Sequence, residues 1–151
     1  MLVISCQCYA QKDICTQITR QEDRTGGIVT YTSPLIGSHS MLSITKVLED
    51  NEVSYIMYAG VPSGNEASEL RGMLIRLEDG TEIKDTECIV TSTLVDEGMY
   101  NLSAKISLTD SQLEMLSLSR VESLHVGNVT GQVAPKDAAK WMDFARCMMD
   151  R

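Results

Sequence analysis

Residues Met73–Asp85, MLIRLEDGTEIKD, carry the alternation of a strand that turns back on itself. Met73, Ile75 and Leu77 fall on one parity, and Leu74, Arg76 and Glu78 on the other, the period of two expected of a β-strand. A two-residue Asp79-Gly80 turn would set Leu77 against Glu82 and Ile75 against Lys84, mixing apolar and charged side chains on one face. A three-residue loop, Glu78-Asp79-Gly80, instead sets Leu77 against Thr81 and Ile75 against Ile83, with Arg76 against Glu82 on the opposite face. That register buries one face and pairs charges on the other. It requires a left-handed backbone at Gly80, as in a type I turn followed by a bulge.

A second hairpin precedes it. Met41–Glu49 and Glu52–Gly60 flank Asp50-Asn51. A two-residue turn there sets Leu48 against Val53, Ile44 against Met57 and Leu42 against Ala59, and Asn tolerates positive φ. Ile28–Thr32 is a further strand, and Ser33–Ser40 a loop. Gln11–Gly27 reads as a loop or extended lead-in, with room for one short helical turn. Val61–Arg71 reads as a turn-rich linker. Beyond Asp85 the alternation changes phase, which places a bulge near Asp85-Thr86.

Tyr100–Leu108 has Tyr100, Leu102, Ala104, Ile106 and Leu108 on one face and Asn101, Ser103, Lys105 and Ser107 on the other, a sheet with one wet side. Thr109 and Gln112 form a capping box for a short helix to about Leu118, with Leu113 and Leu116 inward. Arg120–Val126 returns as a strand. Pro135 suits the first position of a last helix. There Ala138, Trp141, Met142, Ala145, Met148 and Met149 recur at helical spacing, against Lys136, Lys140, Asp143 and Asp150. The expected fold is α+β: a mostly antiparallel, hairpin-built sheet with a short helix and a C-terminal helix packed on one face. Residues 11–151 form one domain.

The chain has 151 residues and a net charge of −8. The acidity argues against nucleic acid or an anionic membrane surface as partner. No apolar run is long enough to span a membrane. Residues Met1–Ala10, MLVISCQCYA, are uncharged and end at polar Gln11-Lys12-Asp13. They resemble the tail of a secretory signal, with Cys8 and Ala10 as the small residues before a cut at Gln11. Val3–Cys6 also resembles a lipobox, in which Cys6 would be lipidated. A plain N-terminal strand is the third reading. Periplasmic or secreted location follows from the first, lipid anchoring from the second and a cytoplasmic protein from the third.

If the chain is exported, Cys15, Cys88 and Cys147 remain. A Cys15–Cys147 disulfide would pin the last helix to the first segment. Cys88 is then odd, a small buried hydrophobe rather than a nucleophile.

Candidate chemistry is sparse. Ser38-His39-Ser40 is the most suggestive stretch for a small hydrolase, but no GxSxG presents a nucleophile. His39 and His125 lack zinc spacing, and His125 alternates against Leu124 and Val126. Glu66, Glu69, Glu78, Asp79 and Glu82 read as a solvated acidic surface rather than a carboxylate pair. Asp79-Gly80 is a turn, not a calcium loop, and no phosphate loop follows Gly60 or Gly64. No catalytic, cofactor or metal residue is assigned.

Ala10–Asp13, Cys15, Asp23–Gly27, the LEDGTEI turn, LTDSQLEML and the closing WMDFARC together resemble a loose group of small exported Bacteroidetes proteins without assigned function. The resemblance implies export and a β-rich domain with a terminal helix. The expected role is a non-enzymatic binding or interaction module of the cell envelope, with an unidentified protein or envelope ligand. A small hydrolase using His39, or an intracellular interaction or inhibitor protein, are the alternatives. A cleft joining His39 to a carboxylate would favour the hydrolase; an exposed apolar patch or an open sheet edge would favour interaction.

Overall fold

A computed structural model describes residues 13–67 and 69–151. The possible lipidation site Cys6 and the signal-like residues 1–10 lie outside the described residues. The architecture of the described residues is α+β, with ten strands and two α-helices among them. In order, a 3-10 turn (Ile14–Gln17) leads into β1 (Thr19–Glu22), β2 (Ile28–Thr32), β3 (Met41–Glu49), β4 (Glu52–Ser63), β5 (Arg71–Leu77) and β6 (Glu82–Ile89). Then come β7 (Thr91–Asp96), β8 (Met99–Leu108), α1 (Asp110–Leu118), β9 (Val121–Val126), β10 (Val129–Gln132) and α2 (Pro135–Asp150).

Both hairpins take the register their sequences specify. Ile75 faces Ile83 and Arg76 faces Glu82. Gly80 has φ +86°, a left-handed conformation open to glycine at little cost. In the β3–β4 hairpin Leu48 faces Val53, Ile44 faces Met57 and Leu42 faces Ala59. Asp50 and Asn51 both have positive φ, which matches the turn's twist to that of the strands. The phase change in β6 is an irregularity opposite Gly72. There the Asp85 carboxylate accepts from the backbone N–H of Glu87 (2.8 Å) and of Cys88 (3.0 Å).

Instead of one sheet there are two, a six-stranded sheet ordered β1-β2-β3-β4-β8-β7 and a four-stranded sheet ordered β10-β9-β5-β6. The inner face of the first carries Leu42, Ile44, Met57, Ala59, Val61, Leu102, Ala104, Ile106 and Leu108, all buried. The second presents Met73, Ile75, Leu77, Ile83, Leu124 and Val126, also buried. The faces meet closely: a Cβ on Gly131 would lie 2.6 Å from Val61 Cγ1 and 2.2 Å from Ser40 Oγ. A side chain at that position would push the sheets apart.

Two stretches read as loop contain strand. Thr19–Glu22 pairs with β2, and β4 continues through Ser63 opposite β8. Their side chains are mostly polar or turn-forming, and long-range pairing overrides those local preferences.

Helix α1 is capped by Thr109 and Gln112 in a reciprocal box, and Pro135 opens α2. The α2 face against α1, β3 and β9 carries Ala138, Trp141, Phe144, Ala145, Cys147 and Met148. Met149 lies outside this face and is exposed, so the apolar stripe is narrower than its sequence spacing suggests. Trp141 Nε1 donates to Ile36 O at 3.0 Å, so the one buried indole leaves no orphaned N–H.

Candidate functional site

Four parts of the molecule compete as a site. The first is the loop holding His39. Its side chain is exposed, and among the described residues no hydrogen bond joins its ring to a carboxylate. Ser38 is engaged through its backbone N–H, which points to Asp137 Oδ2 at 3.4 Å. Ser40 Oγ donates to Gln132 O at 2.8 Å. The loop is thus held to β10 and α2 by polar contacts, without the nucleophile–base contact that acyl transfer requires. His125 lies on the outer face of the four-stranded sheet, with Nδ1 2.8 Å from Thr130 Oγ1 and Nε2 3.4 Å from Ser123 Oγ.

The second is the seam between the 3-10 turn and α2. Cys15 and Cys147 lie at disulfide distance there, their Cα atoms 5.5 Å apart across 132 residues of chain. A recess of about 600 Å³ beside them is lined by Asp13, Gln17, Asp143, Arg146 and Asp150. Arg146 engages Asp143 at 3.4 Å and donates through Nε to Ser117 O at 2.9 Å, at the last turn of α1. On the other side of α2, Lys46 sits on the inner face of β3, 5% exposed. Its Nζ donates to Met148 O at 3.2 Å and also to Arg151 O. A lysine among apolar neighbours is tolerated here because it meets the unpaired carbonyls and negative pole at the end of α2. Arg151 Nη2 in turn donates to Cys15 O at 2.6 Å. Asp13, Asp143, Arg146, Lys46 and Arg151 at this seam each have a structural partner.

The third is a shallow recess of about 240 Å³ on the outer face of the four-stranded sheet, lined by Arg71, Lys84, Asp85, His125 and glycine backbone. Arg71 leans toward Glu87 (3.8 Å) and Asp85 is committed to the β6 irregularity. The opposing charges there balance locally.

The fourth is the corner where β6 ends and β7 begins, with only Val90 between them. Val90 is buried, so the strand leaves one sheet and enters the other through an apolar pivot. β6 and β7 are edge strands of their respective sheets. On β7 and its flanks Ile89 is 71% exposed, Leu94 62%, Val95 67% and Met99 53%, the last three by the β7–β8 turn at the far end of the strand from Ile89. Val95 is extruded because the β7–β8 register slips between Leu94 and Asp96. A recess of about 500 Å³ lies where β7 has parted from β8, lined by Ile89, Thr91, Ser103, Ala104 and Lys105. Cys88 lies at the corner's approach. Burial pushes its thiol up from the ordinary value, the Asp85 carboxylate adds to the shift, and Sγ–H points to Asp85 O at 3.6 Å. Such a thiol is a poor nucleophile.

Sequence reading missed this corner. The visible signal was Thr91–Val95, TSTLV, five uncharged residues directly after Cys88-Ile89-Val90. Among the described residues no three His, Cys, Asp or Glu side chains are grouped to hold a metal ion, and no helix is long and apolar enough to cross a membrane. No protein-family model, curated protein or solved structure matches the chain.

Proposed function

We propose that this chain is an exported, non-enzymatic interaction module of the cell envelope that docks a protein through the β6–β7 corner. The observation that carries the reading is that Ile89, Leu94, Val95 and Met99 are all more than half exposed on or beside β7, an edge strand uncharged from Thr91 to Val95. Large exposed apolar side chains along one edge strand favour association, and an edge strand offers backbone donors and acceptors to a partner. Export is supported by the Ala10-Gln11 junction and by the Cys15–Cys147 approach, since disulfides persist in oxidising compartments.

Two measurements test this. Chain produced in its native host from the full reading frame should begin at Gln11 or carry lipid on Cys6; an unprocessed cytoplasmic chain refutes export. A photo-crosslinker placed at Val95 should trap a protein in the envelope fraction, and Leu94→Lys should abolish the adduct. A crosslinking pattern unchanged by Leu94→Lys, or no adduct at all, refutes the corner as a docking surface.

A further inference from the structure

We infer that the protein docked on β7 is a second copy of this chain, its own β7 antiparallel to the first about a two-fold axis. This rests on reading the corner as a docking surface, and it names the occupant.

The four sheet edges differ in how they resist pairing. β1 has only four residues and carries the Arg20–Glu22 ion pair, 2.9 Å apart. β6 carries Glu82, Lys84, Asp85 and Glu87 and is broken by its irregularity. β10 has four residues with a glycine inside, and α2 follows it closely. Charges, bulges and shortness are the usual guards of an edge. β7 is uncharged over Thr91–Val95; its guards, a register slip at Val95 and one charge, Asp96, are both confined to its end.

The sequence of β7 also fits itself. An antiparallel two-fold axis perpendicular to a sheet sets each residue against one of the same face. Centred on Thr93, it places Ser92 opposite Leu94 and Thr91 opposite Val95. Centred on Leu94, it places Thr93 opposite Val95, the residue displaced by the register slip before Asp96. Neither arrangement sets a charge against a like charge, whereas parallel pairing would stack Asp96 on Asp96. The antiparallel arrangement brings the second copy's Asp96 and Glu97 toward the end of β7 near Thr91. There the 500 Å³ recess opens and Lys105 lines it. The acidic end of each β7 thus approaches the lysine at the opposite end of the other copy, twice by symmetry. The apolar Leu94 and Val95 lie near the axis, where burial in both copies is shared. The product is a continuous sheet of two six-stranded halves.

Sedimentation velocity and symmetric crosslinking test this. The whole chain should sediment as a dimer at about 50 µM, and Leu94→Lys should weaken dimerisation at least about tenfold. A residue on a two-fold axis lies opposite itself, with Cα atoms about 4.5–5.5 Å apart, within disulfide range. In a Cys88→Ser background, Thr93→Cys or Leu94→Cys should therefore give a disulfide-linked dimer under mild oxidation, while Gln21→Cys on β1 stays monomeric. A monomer at 100 µM, or crosslinking at β1 as fast as at β7, overturns the inference. If the chain is monomeric yet the Val95 envelope adduct still forms and is lost in Leu94→Lys, the docking reading survives with a different occupant. Loss of both removes the two together.

Discussion

At the seam of α2, Phe144, Trp141 and Met148 are buried, Cys147 approaches Cys15, Lys46 donates to Met148 O and Arg151 donates to Cys15 O. On β7 and its flanks, Ile89, Leu94, Val95 and Met99 face water, and among the described residues β6 and β7 are edge strands. The two regions use the same residue classes to opposite ends. The seam brings even a lysine inside and satisfies it. The corner leaves apolar side chains outside that the core had no room to cover. If the corner is the docking surface proposed above, stability and recognition should be separable, with substitutions at one region leaving the other's property intact.

The strongest challenge to that separation is Phe144→Ala, which empties a fully buried ring site between α2 and the sheets. It should cost about 3–5 kcal/mol in chemical denaturation. Dimerisation should persist under conditions where the variant remains folded. Cys15→Ser with Cys147→Ser comes next, at about 2–4 kcal/mol, because the link closes a loop of 132 residues. Equal stability of oxidised and reduced wild-type protein would show that α2 is held by packing alone. Lys46→Ala should cost about 1–3 kcal/mol, since it leaves the Met148 and Arg151 carbonyls without their buried donor. Amide exchange in the last turn of α2 should rise while exchange in β7 does not.

The corner should behave in the opposite way. Leu94→Lys changes an exposed side chain and should move stability by no more than about 0.5 kcal/mol, while association falls. A large loss of stability would mean that β7 is part of the core economy. The smallest effect belongs to Cys88. Its folded pKa is raised, so the stability its neutral thiol contributes is complete below the unfolded value of about 8.5 and is lost as pH rises through the folded value. Denaturation midpoints of wild type and Cys88→Ser should therefore converge or cross above that pH. Alkylation of native Cys88 at pH 8 should also be slower than in the denatured chain.

The parts of this fold legible in sequence are those whose information is local. Gly80 and Asp50-Asn51 name their own turns, and flanking alternation then fixes every facing pair. Thr109 and Gln112 mark their helix start by the same logic. The division into two sheets was not legible, because it depends on β5 pairing with β9 and β4 with β8 across long stretches of chain. Thr19–Glu22 carried no signal, since a four-residue polar edge strand takes its structure from its neighbour. Lys46 shares the buried parity with Leu42 and Ile44, but a lysine there reads as solvated until the end of α2 is placed over it. The corner was half legible. Its uncharged run is plain, but exposure is a property of what fails to cover a residue, and no short window contains that.

Val90, alone between β6 and β7, has a mechanical consequence. The two sheets share one uninterrupted length of extended backbone, so a pull on β7 is transmitted along covalent bonds into the turn of chain that shelters Cys88. When β7 gains a neighbour, the rate at which a thiol reagent reaches Cys88 should change without any label being introduced.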